Sequence, residues 1–239
     1  MMVRYLILLD HNRLLDLNID LQYQIFLRKN KMKFNNDFKY FYFGPCLIKF
    51  TLSDELCNGL LEKGKKYNPD ARNDLAGHLN EEFFYSETDR NWFVENFMSY
   101  LQDYLKFLKE YKNKGIYTYS LKENNVSLKL TSLWINYMKK NEFNPLHTHT
   151  GDLSFVIYLK VPNELKEENE KYIGTDPCGP GGISFVNDLK SDKMTISEVN
   201  LFPKEKECYI FPSKLHHMVF PYKSDCERIS VSGNIDIIE

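Results

Sequence analysis

Residues 209–235 read YIFPSKLHHMVFPYKSDCERISVSGNI. Two runs rich in β-branched and aromatic residues, YIF and RISVSGNI, stand on either side of a segment that contains Pro212 and Pro221. Short runs of this kind, bounded by turn residues, are typical of β-strands. The stretch therefore predicts strands joined by turns, with a pair of histidines just before the second proline.

The same pattern extends towards the N-terminus as far as residue 126. Pro, Gly and Asn separate the runs, and few helix signals interrupt them. At least five strands in about 110 residues describe a sandwich or a barrel. We therefore predict an α+β fold in which supporting N-terminal helices precede a jelly-roll, or double-stranded β-helix, over residues 126–239. The other runs are LKLTSLWINYM (128–138), LSFVIYLKV (153–161), GGISFVND (181–188) and ECYIFP (207–212).

Helices are predicted upstream of the strands, over residues 51–115. After an apolar strand at 41–50, Thr51 and Asp54 resemble a capping box that opens a helix running to about Tyr67. The sequence SETD at 86–89 offers a second cap. Apolar residues then recur at intervals of three and four, which predicts a long helix packed against a sheet.

Composition excludes several classes of protein. The 239 residues carry 31 Lys and Arg against 33 Asp and Glu, so the net charge of -2 gives no electrostatic case for nucleic acid or an anionic membrane. Five dispersed cysteines without a CxxC pair argue against a disulfide framework and a thiolate zinc site. The apolar run at 5–9 is too short for a signal peptide, and no stretch reaches the roughly 18 apolar residues that span a bilayer. We expect a soluble, cytoplasmic protein, or one of the host cytoplasm if it is viral. Its oligomeric state is not predicted.

Four of the six histidines fall within the strand-rich region. His147 and His149 form an H-x-H pair, Asp152 follows three residues later, and His216 and His217 come about 65 residues downstream. Two histidines and one carboxylate on one face, with open positions left, form the ligand set of non-haem iron(II) oxygenases. Because side chains two residues apart share a face of a strand, one H-x-H pair and a distant histidine suit such a site.

Alternation along the strands selects among neighbouring residues. His216 and His217 face opposite sides of any strand, so only one of them can point inward. Arg228, Ser230 and Ser232 lie two residues apart and can all point into the barrel. A buried guanidinium would give a carboxylate ligand a bidentate, permanently charged partner.

Three stretches of the chain resemble a known family. LWINYMKKNEFNPLHTHTGDLSFVIYL (133–159), GGISFVND and residues 209–235 resemble 2-oxoglutarate/iron(II) oxygenases of phages and marine bacteria, which are related to prolyl 4-hydroxylases. The last stretch looks like the family's FPS-x-L-x-H-x-V-x-P followed by R-I-S-x-S-x-N. The likeness covers roughly residues 130–237, with a looser match from about residue 41 to 105. It implies iron(II), 2-oxoglutarate and dioxygen as cofactors.

The resemblance also implies roles for individual residues. It makes His217 the distal iron ligand, with His147 from the upstream pair, and Arg228 the residue that holds the far carboxylate of 2-oxoglutarate. Tyr158 matches the position of a tyrosine that binds the same carboxylate. Asn136 is expected to touch the co-substrate or the substrate, and Ser230 is expected to line the co-substrate pocket.

One ligand position departs from the family's pattern. The family uses H-x-D, whereas this chain has His149 where the aspartate should be. Either His147 and His149 both bind the metal, which gives a three-histidine site, or Asp152 bends back from the loop to supply a carboxylate. The sequence leaves both arrangements open.

The resemblance implies a dioxygenase, a hydroxylase whose primary substrate is a prolyl residue in a peptide or protein, or an amino acid. We predict one oxygenase domain at 41–239, with 1–40 as an extension of unassigned role. The polar segment between Val161 and Gly182 is predicted to be either a loop that selects the substrate or a plain flexible insertion. Two alternatives stay open: a cupin-like metal enzyme without 2-oxoglutarate, and a non-catalytic jelly-roll module for binding or structure. A cupin-like enzyme has no need of Arg228.

Overall fold

The computed structural model describes residues 44–64, 68–112, 127–175, 178–188 and 196–238. These residues all belong to one compact unit, Tyr40–Glu239. The predicted N-terminal extension at 1–40 lies outside the described residues, so the predicted domain boundary stays a prediction.

Ten strands and three α-helices account for most of the described residues. The helices are α1 (Asp54–Lys63), α2 (Glu87–Lys112) and α3 (Asn163–Glu170), and a short 3-10 helix spans Arg72–Asp74. None of them is long and apolar enough to cross a membrane. The strands are β1 (Ile48–Thr51), β2 (Glu82–Phe84), β3 (Ser127–Met138), β4 (Asn144–His147), β5 (Leu153–Lys160), β6 (Ile183–Val186), β7 (Glu198–Leu201), β8 (Glu207–Pro212), β9 (His216–Val219) and β10 (Arg228–Ile238).

The strands form two antiparallel sheets. The larger has the order β1-β8-β5-β10-β3-β2, and the smaller has the order β4-β9-β6-β7. From β3 onward the chain crosses repeatedly between the sheets: β3, β5, β8 and β10 lie in the larger one, and β4, β6, β7 and β9 in the smaller. This winding of one chain through two facing sheets is a double-stranded β-helix. The predicted α+β jelly-roll is confirmed.

The larger sheet buries both of its faces, and each face has its own core. On β10, Val231 packs into the core on the helix side, whereas Ser230 faces the space between the sheets. On β5, Phe155 and Ile157 join the helix-side core, while Tyr158 joins the core between the sheets. The period of two in these strands therefore separates a purely structural face from the face that can carry chemistry.

Helix α2 covers the outer face of the larger sheet, as its spacing of apolar residues predicts. Phe93, Phe97 and Tyr104 are almost fully buried, and the ring of Phe97 lies 4.9 Å from that of Phe155 between centroids. Burying one such ring stabilises the fold by about 2 to 3 kcal/mol. The helix fixes the position of the sheet without entering the barrel.

The predicted start of α2 is confirmed, and that of α1 needs a correction. The Ser86 hydroxyl accepts a hydrogen bond from the backbone N–H of Asp89 at 3.2 Å, as a cap should. At α1 the cap is Ser53, whose Oγ accepts from the N–H of Leu56 at 3.2 Å. Thr51 instead ends β1, because its backbone pairs with β8.

The segment between Val161 and Gly182 is not simply a loop. It begins with α3, and the Leu165 side chain of that helix is fully buried in the core between the sheets. The Asn169 amide donates to the carbonyl oxygens of Cys178 at 2.9 Å and Pro180 at 3.0 Å. These contacts anchor the described part of the segment against the barrel.

Candidate metal and co-substrate site

Three histidines meet at the end of β4. His147 is the last residue of that strand and lies directly opposite His217 of β9. His149 follows two residues later, and its Nε2 lies 3.0 Å from Nε2 of His217. One ligand atom from each residue lies within 4.8 Å of the others, and the described part of the chain contains no second group of this kind. The fold therefore brings together three of the four predicted metal ligands.

Backbone carbonyls orient two of the three imidazoles. Nδ1 of His147 lies 2.7 Å from the carbonyl oxygen of Pro145, and Nδ1 of His217 lies 3.0 Å from that of Leu215. A carbonyl oxygen can only accept, so Nδ1 must carry the proton in both rings. The other nitrogen, Nε2, is then left with its lone pair for a metal, which is the usual arrangement around a ligating histidine.

All three imidazoles favour the neutral form. Burial, followed by the neighbouring charges of His147 and His149, lowers the pKa of His217 to about 3. The pKa of His149 falls to about 4, also chiefly through burial, and burial likewise lowers the pKa of His147. Because a metal binds the neutral imidazole, these rings are ready to ligate at neutral pH.

Asp152 stays outside the histidine group. Its Oδ2 accepts the backbone N–H of Ile237 at 2.7 Å, and its own N–H donates to the carbonyl of Ile235 at 3.0 Å. Gly151, with a φ of 81°, turns the chain between His149 and Asp152. Of the two alternatives for the third ligand, the structure brings His149 to the pair and ties Asp152 to β10.

Aromatic rings surround the histidines on the inner side. The rings of Phe211 and Phe185 lie 4.9 Å and 5.9 Å from that of His217, and Trp134 lies 5.7 Å from His149 between ring centroids. His217 is 5% exposed. Its neighbour His216 is exposed, as alternation along β9 predicts.

Arg228 opens β10 deep in the barrel and is 2% exposed. Its Nη1 donates to the carbonyl of Gly181 at 2.8 Å, whereas its Nε has no hydrogen-bond partner. No described carboxylate forms an ion pair with it. A buried guanidinium that lacks an anion is costly, so this group fits a carboxylate ligand that binds from outside the chain.

Tyr158 faces Arg228 across the strands. The guanidinium carbon of Arg228 lies 5.4 Å from the centre of the tyrosine ring. The Tyr158 hydroxyl is fully buried without a hydrogen-bond partner. Burial raises its pKa to about 12, against the opposing effect of Arg228, so the hydroxyl keeps its proton and can donate. The Tyr158 hydroxyl and the Arg228 Nε are thus neighbouring donors that no described acceptor uses, which suits one end of a dicarboxylate.

The remaining predicted site residues lie in the same row across three strands. Tyr158 of β5 pairs with Ser230 of β10, which pairs with Asn136 of β3. The Asn136 amide nitrogen lies 3.4 Å from Ser230 Oγ. Ser232, two residues further along β10, lies on the same face of the sheet. The alternation of the strands thus brings together the residues predicted to bind the co-substrate.

Sequence reasoning missed two contributors to this pocket. Tyr222 is 1% exposed, and its hydroxyl donates a hydrogen bond to the carbonyl oxygen of Met138. The same hydroxyl accepts a hydrogen bond from the backbone N–H of Arg228 at 3.4 Å. Gly181 contributes only its carbonyl oxygen. A single tyrosine in a loop and a backbone oxygen leave no periodic signal that could identify them.

Structural comparison finds solved structures that align with most of this chain at low sequence identity. A viral collagen prolyl hydroxylase from Paramecium Bursaria Chlorella virus-1, solved with 2-oxoglutarate, is 16% identical; the alignment covers 79% of this chain and 94% of that one, with a TM-score of 0.45. A prolyl-4-hydroxylase from Pseudomonas putida is 13% identical over 81% and 92% of the two chains, with a TM-score of 0.44. HygX from Streptomyces hygroscopicus is 9% identical over 81% and 83%, with a TM-score of 0.48.

Comparison with curated proteins finds no match. Comparison with family models matches residues 132–234 to the family described as "Putative 2OG-Fe(II) oxygenase". The matched stretch includes all three histidines as well as Asn136 and Arg228. Residues 132–234 thus match the 2-oxoglutarate/iron(II) oxygenase family that their sequence pattern resembles, a family of oxidoreductases that use iron(II), 2-oxoglutarate and dioxygen.

Proposed function

We propose that this protein is an iron(II)- and 2-oxoglutarate-dependent dioxygenase that hydroxylates its primary substrate. His147, His149 and His217 would hold the iron. Arg228 and Tyr158 would hold the far carboxylate of 2-oxoglutarate. The observation that carries the proposal is a buried guanidinium without an anionic partner, inside the same barrel as three neutral, converging imidazoles.

The unpartnered Arg228 separates this function from a cupin-like one. A metal enzyme without 2-oxoglutarate gains nothing from a cation buried away from the metal. The effective cost of burying one charge is several kcal/mol, and a bound carboxylate offsets it. The neutral Tyr158 hydroxyl adds a hydrogen bond to the same carboxylate.

Iron(II), 2-oxoglutarate and dioxygen would supply the oxidising chemistry: one oxygen atom of dioxygen enters succinate as 2-oxoglutarate loses carbon dioxide, and the other enters a C–H bond of the primary substrate as a hydroxyl. The protein contributes geometry and a dry environment. The carbonyls of Pro145 and Leu215 fix the rings of His147 and His217. Arg228 determines the direction in which the co-substrate lies. Phe211 and its aromatic neighbours keep water from the inner side of the site.

For the primary substrate we propose a prolyl residue in a peptide or protein, or an amino acid. The support is the resemblance of residues 133–159 and 209–235 to relatives of prolyl 4-hydroxylases. We also propose that the oxygenase domain spans 41–239, since β1 is the edge strand of the larger sheet, beside β8, and α1 and α2 pack on the outer face of that sheet.

Succinate formation from 2-oxoglutarate tests the function. Protein purified without oxygen is given iron(II) and 2-oxoglutarate and then air, and many such enzymes turn over slowly even without their substrate. Wild type is compared with His217→Ala, Arg228→Met and the control Arg72→Met, which removes an exposed arginine paired with Asp70.

We expect succinate from wild type and the control, and none from the other two variants. If wild type forms no succinate and does not bind 2-oxoglutarate in the presence of manganese(II), the proposal is wrong. Turnover that survives in Arg228→Met would remove the assigned role of this residue.

A further inference from the structure

Among the described residues, three buried oxygens on the barrel face of β2, β3 and β4 lack a hydrogen-bond donor. They are Oε2 of Glu82, Oδ1 of Asn136 and Oδ1 of Asn144. A buried acceptor without a donor destabilises the folded state, because it has lost its hydrogen bonds to water. Three of them on neighbouring elements point to a missing donor, because native proteins rarely leave such groups unpaired.

Glu82 extends the row of residues that crosses the larger sheet. It lies on β2 directly opposite Asn136 of β3, which is itself opposite Ser230 of β10. Glu82 is 1% exposed and Asn136 is 4% exposed. Since directly paired residues share a face, the Glu82 carboxylate lies on the barrel side of β2, next to the proposed co-substrate pocket.

Asn144 approaches Glu82 from the smaller sheet. A Cβ placed on Gly77 would lie 2.6 Å from Asn144 Oδ1 and 3.0 Å from Glu82 Oε1, so the unpartnered oxygen of Asn144 and the other carboxylate oxygen of Glu82 border the same point. Asn144 also opens β4, the strand that ends at His147. Three residues of strand correspond to about 10 Å, so the oxygens lie within reach of a substrate at the metal.

Among the described residues, two of the three charged groups that act on Glu82 are acidic. Glu142, the nearest buried carboxylate in sequence to Asn144, already accepts from the N–H groups of Asn80 at 3.0 Å and Lys139 at 2.7 Å. Arg72 is fully engaged with Asp70, through bonds at 2.6 to 3.0 Å. Burial, together with the charges of Glu142 and Asp70, raises the pKa of Glu82 to about 7, while Arg72 only partly opposes them.

We propose that Glu82, Asn136 and Asn144 form a subsite that binds a protonated nitrogen group of the primary substrate, an amine or a guanidinium. The inference rests on the proposed oxygenase function, because that function identifies the bound group as part of the primary substrate. The site offers acceptors only, so it favours a group that has several N–H donors and no acceptor. A positive charge also offsets the buried carboxylate of Glu82. Among the proposed substrates, the subsite favours one with a free amine, such as a free amino acid, over an internal prolyl residue.

Binding of small cations and their neutral analogues tests the subsite directly. Calorimetric titration of the full chain at about pH 8, where Glu82 is mostly ionised, compares methylguanidinium with methylurea and L-proline with N-acetylprolinamide. Glu82→Gln removes the charge at nearly constant volume. Glu81→Gln is the matched control, since this neighbour points away from the barrel and pairs with Lys139 at 2.9 Å. Asn144→Asp adds a charge to the same subsite.

We expect wild type to bind at least one cation tenfold or more tightly than its neutral analogue. Glu82→Gln should abolish this preference, Glu81→Gln should keep it, and Asn144→Asp should increase it, a gain that misfolding cannot produce. Equal binding of both members of each pair, no binding of either cation, or an unchanged preference in Glu82→Gln would overturn the inference. Binding of 2-oxoglutarate with manganese(II) is measured on the same samples. If it fails while the cation binds, the fault lies with the proposed function and not with the subsite.

Discussion

Replacing Arg228 by Met should separate the stability of the protein from its ability to bind 2-oxoglutarate. Met has a similar length and no charge, so it can fill much of the same space. The substitution removes the hydrogen bond to Gly181, at 2.8 Å, and the contact with the Tyr158 ring. It also removes a charge that is 2% exposed and lacks a buried anion.

These effects oppose each other in the ligand-free protein. A hydrogen bond from a charged donor contributes about 1.5 to 3 kcal/mol, and an uncompensated buried charge costs several kcal/mol. We therefore expect Arg228→Met to be as stable as wild type without ligand, or more stable. With ligand the order reverses, because 2-oxoglutarate at 100 times its Kd stabilises wild type by about 2.7 kcal/mol. For a domain of this size that shift corresponds to about 5 to 10 °C in Tm.

Thermal unfolding with manganese(II), with and without 2-oxoglutarate, measures both parts. Wild type should show the shift, and Arg228→Met should show less than a fifth of it at the same ligand concentration. An equal shift in both proteins would refute the assignment of Arg228 as the carboxylate partner. A ligand-free variant less stable than wild type by more than about 3 kcal/mol would show that the guanidinium is already paired in the empty barrel.

Three further predictions concern the ligand set, the core and the buried carboxylate. His149→Ala should weaken manganese(II) binding by about 100-fold or more, whereas Asp152→Ala should leave the affinity unchanged, as isothermal titration will show. Phe97→Ala should lower the free energy of unfolding in urea by about 3 to 5 kcal/mol without changing metal binding, since its ring packs outside the barrel. The pKa of Glu82 is raised to about 7, so the folded state favours the protonated carboxyl. The free energy of unfolding that wild type gains from this protonation is lost as the pH rises through 7. As the pH rises from about 5 to about 8, the free energy of unfolding of Glu82→Gln should therefore increase by about 3 kcal/mol relative to that of wild type. A difference that stays constant across this range would contradict the raised pKa of the Glu82 carboxyl.

The parts of the fold that follow local periodicity could be predicted from the sequence. Apolar spacing at three and four identifies α2, and alternation along β10 places Arg228 and Ser230 on one face and Val231 on the other. Each pattern is contained in one element. Periodicity therefore predicts which face of a strand carries the site residues, even where the partner strands are unknown.

The parts that depend on contacts between distant segments could not be predicted. The choice between His149 and Asp152 is made by the turn at Gly151 and by hydrogen bonds to β10, more than 80 residues away in sequence. Glu82 comes from a three-residue strand without a recognisable pattern, and only its pairing with β3 places it in the barrel. A short edge strand carries too few residues for a period to be seen.

Three neutral imidazoles change the charge of the site as well as its ligand set. In an H-x-D site the carboxylate would neutralise one positive charge of iron(II), whereas the proposed three-histidine site would leave both charges to be balanced by the co-substrate. In the proposed binding mode, Arg228 would add a third positive charge at the other end of the same dianion. This arrangement works only if no carboxylate of the chain neutralises Arg228 first. The buried carboxylate of Glu207, whose charge acts on Tyr158, is instead engaged by Lys49 at 3.1 Å and by the Tyr209 hydroxyl at 2.7 Å. By binding Glu207 to other partners, the barrel keeps Arg228 free for a carboxylate that comes from solution.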